Sequence, residues 1–357
     1  MNSPLSYSPI AVGGIAKALA VLFESDSEDH VITRASATNV IVSGVTLEEL
    51  ASATLAVESI APVHPARFFI PVMDPNAEEM RAEVAAACVK VSNGNDVCSE
   101  IVRLYFPDSA RLAVPSVIRA NMLPGLSSEV FAFGWDDSSQ QLIKQSDLLF
   151  IDSHELPIEA LLKLIEIVIQ GRVPTVDFNW VRLGVWREEI KRVFDLPSAQ
   201  RALNNLRKIT IESAPYVDGE YEASAFTLAG WLCHRLGAEP LSLGHSGWEC
   251  RRRTGGEFFI SIKKVPQIGP AATIQRVILD GSAGGDGSSA IATLSRNAVL
   301  ETQIHAEGGL VLQRAVEDDD GLAVIERFFL VGDSTVNYEP SLKIAVELSR
   351  LSCGFNG

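Results

Sequence analysis

The feature that most constrains the fold is a regular alternation of short apolar runs with helix-like segments between residues 36 and 200. The runs at 37–42, 67–72 and 129–133 have the length of buried strands. A helix-like segment follows the first run, with Thr46 as its N-cap and Glu49 three residues later. This order predicts a mainly parallel sheet flanked by helices. We therefore expect a Rossmann-like α/β N-terminal domain over residues 1–205.

The same region contains one exception to the predicted pattern of parallel strands. Strand-like runs at 83–91 and 96–105 are joined by Ser92-Asn93-Gly94-Asn95, a combination typical of a β-hairpin. We expect this hairpin to add an antiparallel edge to the sheet. A further strand at 147–152 precedes an apolar helix at 156–170, which Gly171 ends.

The pattern changes after residue 205. Apolar and polar residues alternate with a period of two, which is typical of antiparallel strands with one solvated face. The strands are expected at 208–213, 257–263, 273–279, 291–294 and 310–314, and helices at 223–236 and 341–351. We therefore expect a smaller α+β domain with an antiparallel sheet over residues 206–357.

Charge and composition exclude several classes of protein. The formal net charge is -15, and such a surface repels phosphate backbones and anionic lipid headgroups, so we expect neither nucleic acid nor a membrane as a partner. The apolar run at 9–23 lacks a basic start and carries Lys17, so it predicts an amphipathic helix and not a signal peptide. The 5 cysteines are an odd number without a disulfide framework, which favours the cytoplasm.

Glycine and cysteine spacing argue against cofactors and metals. Only Gly44 lies in the turn after the first α/β strand, where a dinucleotide fingerprint needs three glycines, and the chain has no Walker A sequence. The glycine-rich segment at 281–289 is interpreted as a hairpin loop. Cys233 and Cys250, with two nearby histidines, match no common zinc spacing. We predict no cofactor and no metal.

Asp152, Ser153 and His154 follow a predicted strand, at the position where α/β folds place ligand-binding residues. A carboxylate, a hydroxyl and an imidazole there are suited to acid–base chemistry. They are equally suited to capping the helix that begins near Pro157. Both interpretations stay open at this point.

The densest unusual segment is Asp177-Phe178-Asn179-Trp180-Val181-Arg182-Leu183-Gly184-Val185-Trp186-Arg187. A continuous helix would place Arg182 beside Trp186, in a pair suited to guanidinium–aromatic stacking. Asp177 and Asn179 would lie at the helix start and cap it. The segment is either an interlocked structural junction or a binding hot spot.

This segment resembles the Asp-Leu-x-Trp-x-Arg-Leu-x-x-Trp-Arg signature of the OpcA family, the glucose-6-phosphate dehydrogenase assembly proteins. Further similar blocks follow in the family's order: Thr33-Arg34-Ala35-Ser36-Ala37-Thr38-Asn39, His64-Pro65-Ala66-Arg67, Cys98-Ser99-Glu100, the strand ending at Ser153, Ala229-Gly230-Trp231-Leu232 and Tyr338-Glu339. The departures, such as Phe178 for leucine and Gly184-Val185 for a proline-bearing pair, indicate a divergent member.

The resemblance implies a protein that is not an enzyme, that binds glucose-6-phosphate dehydrogenase, and that activates it allosterically by promoting its active oligomer. The pathway implied is the oxidative pentose phosphate pathway, which supplies NADPH. The signature or partner-binding residues that it implies are Arg34, Asn39, His64, Arg67, Ser99, Glu100, Asp152, Ser153, Asp177, Asn179, Trp180, Arg182, Trp186 and Arg187.

The resemblance also implies possible redox control, because relatives are regarded as thiol-sensitive. The hairpin register decides whether Cys88 and Cys98 can take part. A three-residue loop pairs Val91 with Asn95 and places the two cysteines opposite each other. A two-residue Asn93-Gly94 turn places them on opposite faces, so only the first register allows a disulfide.

The alternative function is a sugar-phosphate-binding enzyme or sensor that uses Asp152, Ser153 and His154. His64 and Arg67 would supply positive charge if the fold brought them near. Such an enzyme requires a deep pocket that joins these groups.

Overall fold

The computed structural model describes residues 5–24, 32–34, 36–90, 96–133, 137–155, 173–214, 223–266, 274–281, 290–296, 299–305, 310–315, 321–331 and 337–353. The chain packs into two compact units: unit 1 comprises 1–151, 171–176 and 325–332, and unit 2 comprises 152–170, 177–324 and 333–357. This division differs from the predicted boundary after residue 205, because residues 177–205 cluster with later parts of the chain.

Unit 1 is built on a sheet whose strands are β1 (Ser8–Ala11), β2 (Ile32–Arg34), β3 (Thr38–Ser43), β4 (Ala66–Met73), β5 (Arg81–Lys90), β6 (Asp96–Phe106), β7 (Ser128–Ala132), β8 (Leu148–Ile151) and β9 (Thr175–Asp177). Their order is β1-β5-β6-β4-β3-β7-β8-β9, and β2 also pairs with β6. The helices are α1 (Ile15–Glu24), α2 (Leu50–Ile60), α3 (Val114–Asn121) and α4 (Asp137–Ile143).

The parallel part of this sheet has the strand order of a Rossmann fold. β6, β4, β3, β7 and β8 pair in parallel in that spatial sequence. The chain runs outward from β3 through β4 to β6 and then returns to the other side of β3 with β7, which makes the edge between β3 and β7 the topological switch point. The predicted mainly parallel, Rossmann-like sheet is confirmed.

The predicted hairpin is present, but it does not form the edge of the sheet. β5 and β6 pair antiparallel in a register that places Cys88 opposite Cys98. β1 adds a strand outside β5, so the hairpin lies inside the sheet. The predicted loop at 92–95, the helix predicted at 156–170 and the glycine-rich segment after Gly281 lie outside the described residues.

Unit 2 contains the second sheet, with strands β10 (Leu206–Ser213), β11 (Ala238–Gly244), β12 (Gly247–Arg252), β13 (Glu257–Lys264), β14 (Ile274–Gly281), β15 (Ala290–Arg296), β16 (Val299–Ile304) and β17 (Leu310–Ala315). The order is β11-β12-β13-β10-β14-β15-β16-β17. The sheet is antiparallel as predicted, except that β10 and β13 run parallel. The helices α5 (Phe178–Arg182), α6 (Gly184–Asp195), α7 (Pro197–Leu203), α8 (Ala223–Arg235) and α10 (Tyr338–Cys353) belong to this unit, whereas α9 (Gly321–Val331) has residues in both units.

Large aromatic side chains fill the core of unit 2. Trp180, Trp186, Trp231 and Phe258 expose 2% or less of their surface. α8 packs on α10 at Gly230, where an added Cβ would lie 2.2 Å from the carbonyl oxygen of Ser341. Among the described residues, no helix has both the length and the apolar character needed to cross a membrane.

Candidate functional site

The signature segment begins at a buried carboxylate in unit 2. Asp177 ends β9 and is 1% exposed. Its Oδ1 accepts hydrogen bonds from the backbone N–H groups of Ser153 and Asn179, at 3.0 Å each. Its Oδ2 accepts from the Ser153 hydroxyl at 2.6 Å and from the Tyr338 hydroxyl at 2.9 Å. The predicted capping role of Asp177 is therefore observed, and one side chain joins three separate stretches of chain.

Asn179 continues this network toward α8. Its side-chain amide donates to the Ser153 hydroxyl at 2.9 Å and accepts from the Ser224 hydroxyl at 2.9 Å. The Nδ1 atom of His154 lies 3.3 Å from the same Ser224 oxygen. Asn179, Ser153 and Ser224 are each 1% exposed or less. We call Ser153, Asp177, Asn179, Ser224 and Tyr338 the Asp177 network.

Burial controls the protonation of this network. Loss of solvent raises the pKa of Asp177 to about 6, and the nearby Asp152 charge adds to the shift, while the bonds from Ser153 and Tyr338 oppose it. Burial, with the Asp177 charge and hydrogen bond, also raises the pKa of Tyr338 well above its ordinary value. Tyr338 therefore stays a neutral donor to Asp177.

Asp152 forms a second, ionic contact beside the network. Both Nη atoms of Arg182 donate to its carboxylate, at 3.0 and 2.7 Å. Burial raises the pKa of Asp152, but the hydrogen bonds and charge of Arg182 outweigh burial and leave that pKa below its ordinary value. Asp152 also accepts the backbone N–H of His154 at 3.0 Å, which is a local cap.

The predicted stacking of Arg182 on Trp186 is wrong. The segment is two helices, α5 and α6, which meet at Leu183. Arg187 instead lies over the Trp180 ring, with its guanidinium carbon 3.6 Å from the ring centroid, and donates to the Trp180 carbonyl at 2.9 Å. Arg182 pairs with Asp152.

These positions favour the interlocked junction over the exposed hot spot. Trp180, Arg182, Trp186 and Arg187 are 7% exposed or less. Side chains so buried offer a partner almost no surface in the free chain. Their role in partner binding stays a prediction, and the structure gives them a direct role in building unit 2.

The remaining signature residues lie in unit 1, at the amino end of its parallel strands. Arg67 donates to Glu100 at 2.6 Å and to the Asn121 carbonyl at 2.7 Å. His64 lies 2.7 Å from Glu129 and stacks on Phe329 with ring centroids 4.2 Å apart. The charges of His64 and Arg67, proposed above for a sugar phosphate, therefore already have carboxylate partners.

Asn39 and Ser99 hold loops at the same end of the sheet. Asn39 exchanges hydrogen bonds with the backbone of Leu123, at 2.8 and 3.1 Å. Ser99 donates to the Ala61 carbonyl and accepts the Ala66 N–H, both at 3.2 Å. Of Arg34, the structure describes the backbone, which pairs in β2 with Cys98.

Cys88 and Cys98 form a disulfide across the β5–β6 hairpin. This is the first of the two predicted registers. Cys98 is fully buried, whereas Cys88 is an exposed residue. Whether the bond switches in response to redox conditions stays a prediction.

Sequence reasoning missed Ser224 and placed no site role on Tyr338. Neither residue is close in sequence to Asp177, and no local pattern links them. The one available signal was the Tyr338-Glu339 block of the family resemblance.

Comparison with known proteins shows what this chain is similar to. Residues 173–299, which include the signature segment, match the family described as the C-terminal domain of the glucose-6-phosphate dehydrogenase subunit. Two relatives called OpcA, both named as OxPP cycle proteins, are similar: that of Nostoc punctiforme is 31% identical over 173 residues, and that of Synechocystis is 29% identical over 202 residues.

The alignments cover part of each protein. They span 46% and 53% of this chain, and 36% and 40% of the two relatives. Among solved structures, glucose-6-phosphate 1-dehydrogenase from Mycobacterium avium has a TM-score of 0.53 at 9% identity, over 90% of this chain and 93% of that chain. That likeness concerns the fold alone. The predicted resemblance to the OpcA family is confirmed by the family match and by three OpcA relatives at 28–31% identity, over the part of the chain that they align with.

Proposed function

We propose that this chain is a non-catalytic assembly factor that binds glucose-6-phosphate dehydrogenase and supports its active oligomer in the oxidative pentose phosphate pathway. The observation that carries the proposal is the match of residues 173–299 to a domain named for a subunit of that dehydrogenase. The relatives named for the OxPP cycle support the same pathway.

The interior of unit 2 supports a role without catalysis. Ser153 is the hydroxyl nearest to a carboxylate in the signature region, but it is fully buried and donates to Asp177. Asp152 is held by Arg182. A nucleophile or base must reach its substrate, and these groups instead satisfy one another. The arrangement is what a structural scaffold requires.

Activation follows from a difference in affinity. A factor that binds the active oligomer more tightly than the inactive form shifts the population toward the active oligomer. The shift is limited by the ratio of the two affinities, so a factor that binds both forms equally activates nothing. Preferential binding to the active oligomer is therefore part of the proposal.

The contact surface that we infer is β17. It is the last strand of the second sheet, and in the described part of the chain no strand pairs with its outer edge. Leu310, Val311 and Leu312 are 44%, 47% and 38% exposed. Consecutive exposed apolar residues on an edge strand form a surface that another protein covers by pairing or packing.

The first experiment measures complex formation and activity together. Glucose-6-phosphate dehydrogenase from the same organism is sized by chromatography with light scattering, and assayed, with and without this protein. We expect a larger co-eluting complex and a higher kcat/KM. If the two proteins elute separately and the kinetics do not change, the proposal is overturned.

A variant pair tests the inferred surface. Val311 lies opposite the exposed Gln303, so Val311→Lys adds a charge at a solvated position without disturbing the core. We expect it to weaken the complex by roughly tenfold, which is about 1.4 kcal/mol. Leu112→Lys, at a side chain that is 91% exposed in unit 1, is the matched control and should bind normally. Equal binding by both variants would place the contact elsewhere.

A further inference from the structure

The carboxyl end of the parallel sheet in unit 1 carries a groove that the proposed assembly role does not use. Its volume is about 560 Å³, which is large enough to receive several side chains of a partner. The loop after β3, the end of β4, the segment between β6 and α3, and the helix α4 supply its walls. The groove therefore lies beside the topological switch point, where open α/β sheets bind their ligands.

The walls of the groove offer apolar contacts and one unused hydroxyl group. Leu47 lines it and is 38% exposed, and Met73 and Leu142 line it as well. Ser43, which also lines the groove, is 1% exposed, and its hydroxyl has no hydrogen-bond partner within the described ranges. A buried hydroxyl without a partner costs free energy, which a ligand with its own polar groups removes. A peptide brings both apolar side chains and backbone polar groups.

The loops at this end of the sheet carry more carboxylates than guanidinium groups. The carboxylates are Glu48, Glu49, Asp74, Glu78, Glu79 and Asp108, and the guanidinium groups are Arg81 and Arg111. Arg111 lines the groove, but its guanidinium lies 3.2 Å from the Asp108 carboxylate, which offsets its charge. Arg81 lies 3.5 Å from Asp74. The surroundings of the groove are therefore negative, which disfavours an anionic ligand and favours a cationic one.

Three of these carboxylates are free to meet positive charges from outside. Glu48, Glu78 and Glu79 are exposed, and in the described part of the chain none of them forms an ion pair or a side-chain hydrogen bond. Glu48 is itself a wall residue of the groove, directly beside Leu47. An apolar side chain and an unpaired carboxylate thus lie next to each other at the same opening.

We propose that this groove binds a basic segment of a partner protein, whose apolar side chains enter the groove and whose lysines or arginines face the surrounding carboxylates. An amphipathic segment of this kind is recognised by an apolar groove with charges of the opposite sign at its edge. The net charge of -15 on the chain also attracts such a segment from a distance. The groove belongs to unit 1 and β17 to unit 2, so this proposal and the assembly role can each fail without the other.

The experiment selects peptides from a random library, displayed on phage, against the whole immobilised chain. We expect the enriched peptides to carry lysine or arginine together with large apolar residues. A fluorescent peptide of the enriched sequence is then titrated with the chain in solution. Its affinity should fall when the salt concentration rises from about 50 mM to about 500 mM, because salt screens exposed charges.

Two pairs of variants locate the binding site. Glu48→Lys should weaken the selected peptide by about tenfold, whereas Asp195→Lys, the same charge reversal at an exposed residue at the end of α6, should change its affinity by less than about twofold. Leu47→Ala should weaken the peptide by about threefold or more through lost apolar contact. Leu241→Ala, at a side chain in unit 2 that is also 38% exposed, is its control.

Several outcomes would overturn the proposal. One is that no peptide is enriched on the unmodified chain over the Glu48→Lys variant, and another is that the enriched peptides are acidic or uncharged. A third is that Glu48→Lys and Leu47→Ala bind the selected peptide as tightly as their two controls. Spermine, a cation without apolar side chains, should bind more weakly than the peptide, and equal affinity would mean that the groove takes a small cation instead of a protein segment.

Discussion

At the scale of single residues, Asp177 makes a pH-dependent contribution to the stability of unit 2. Its pKa is about 6 in the folded chain, mainly through burial, and about 4 in an unfolded chain. The folded state therefore holds the proton more tightly, and the stabilisation from this group is complete below pH 4 and is lost as the pH rises through 6.

Asp177→Asn removes that titration. Between pH 4 and pH 7, the unfolding free energy of the unmodified chain should fall by about 3 kcal/mol because Asp177 ionises. The variant has no carboxyl group at this position, so this part of the decrease should be absent. Denaturant unfolding of both proteins at several pH values between 4 and 7 gives the unfolding free energy as a function of pH, and the two dependences are then compared. Parallel pH profiles would show that Asp177 does not titrate with a raised pKa.

Some contacts of single residues in the candidate site could be predicted from the sequence, and others could not. The cap formed by Asp177 could be predicted, because it depends on neighbours two residues away. The partner of Arg182 could not, because Asp152 lies 30 positions earlier in the chain. Arg187 contacts Trp180, 7 positions earlier, whereas the pair predicted from the sequence spans four positions. The bond from Tyr338 to Asp177 spans 161 positions, a distance over which local pattern carries no information.

At the scale of elements, the close contact of α8 with α10 depends on the absence of a side chain at Gly230. An added Cβ would lie 2.2 Å from the Ser341 carbonyl oxygen and 2.8 Å from the Ala345 nitrogen, and both are backbone atoms that cannot move alone. Gly230→Ala should therefore force the helices apart and cost about 1–3 kcal/mol or more of stability.

Gly184→Ala is the matched control for this prediction. It lies at the start of α6, where the nearest atom to an added Cβ is a guanidinium nitrogen of Arg187 at 3.6 Å, an ordinary contact. Thermal unfolding should show a clear loss for Gly230→Ala and little change for Gly184→Ala. Equal melting temperatures for the two variants would contradict the close helix contact.

The contribution of the hairpin disulfide to folding stability can also be measured. It joins residues 10 positions apart, and closing a loop of that size stabilises a folded chain by about 2–4 kcal/mol. Reduction should lower the stability of unit 1 by this amount and add two hydrogens to the intact mass. A Cys88→Ser variant should show the lower stability under all conditions. Identical masses before and after reductant would mean that the bond is absent in solution.

Element prediction succeeded where the pattern was regular. Buried runs such as β3 and β4 were predicted within one residue of their ends, because parallel strands inside a sheet are continuously apolar. β11, β12 and β16 were missed, since their mixed residues follow no clean alternation. α9 was also missed, because an apolar run of that length is compatible with a strand or a helix.

At the scale of the whole molecule, the chain passes between its two units repeatedly, at residues near 152, 171, 177, 325 and 333. Sequence pattern predicts a single boundary after residue 205, because helical and two-residue periodicities change there. Periodicity reports the type of local structure, whereas a unit is defined by which segments pack together. The predicted domains and the compact units therefore differ over residues 177–205, because this early segment packs with later segments of the chain.

A fragment of residues 206–357 distinguishes the two descriptions. It lacks Trp180 and Trp186, which are fully buried in unit 2, and it leaves Tyr338 and Ser224 without Asp177 and Asn179. Loss of two buried tryptophans costs about 3–5 kcal/mol each, which is comparable to the whole stability of a domain. We expect the fragment not to unfold cooperatively, as measured by circular dichroism on heating.

The fragment of residues 152–357 is the matched comparison. It restores the signature segment and the Asp177 network, so it should recover a cooperative transition if unit 2 is complete within that range. A cooperative transition in the shorter fragment would instead support an independent domain from residue 206. In that case the signature segment would be free to act in partner binding without a part in folding the second sheet.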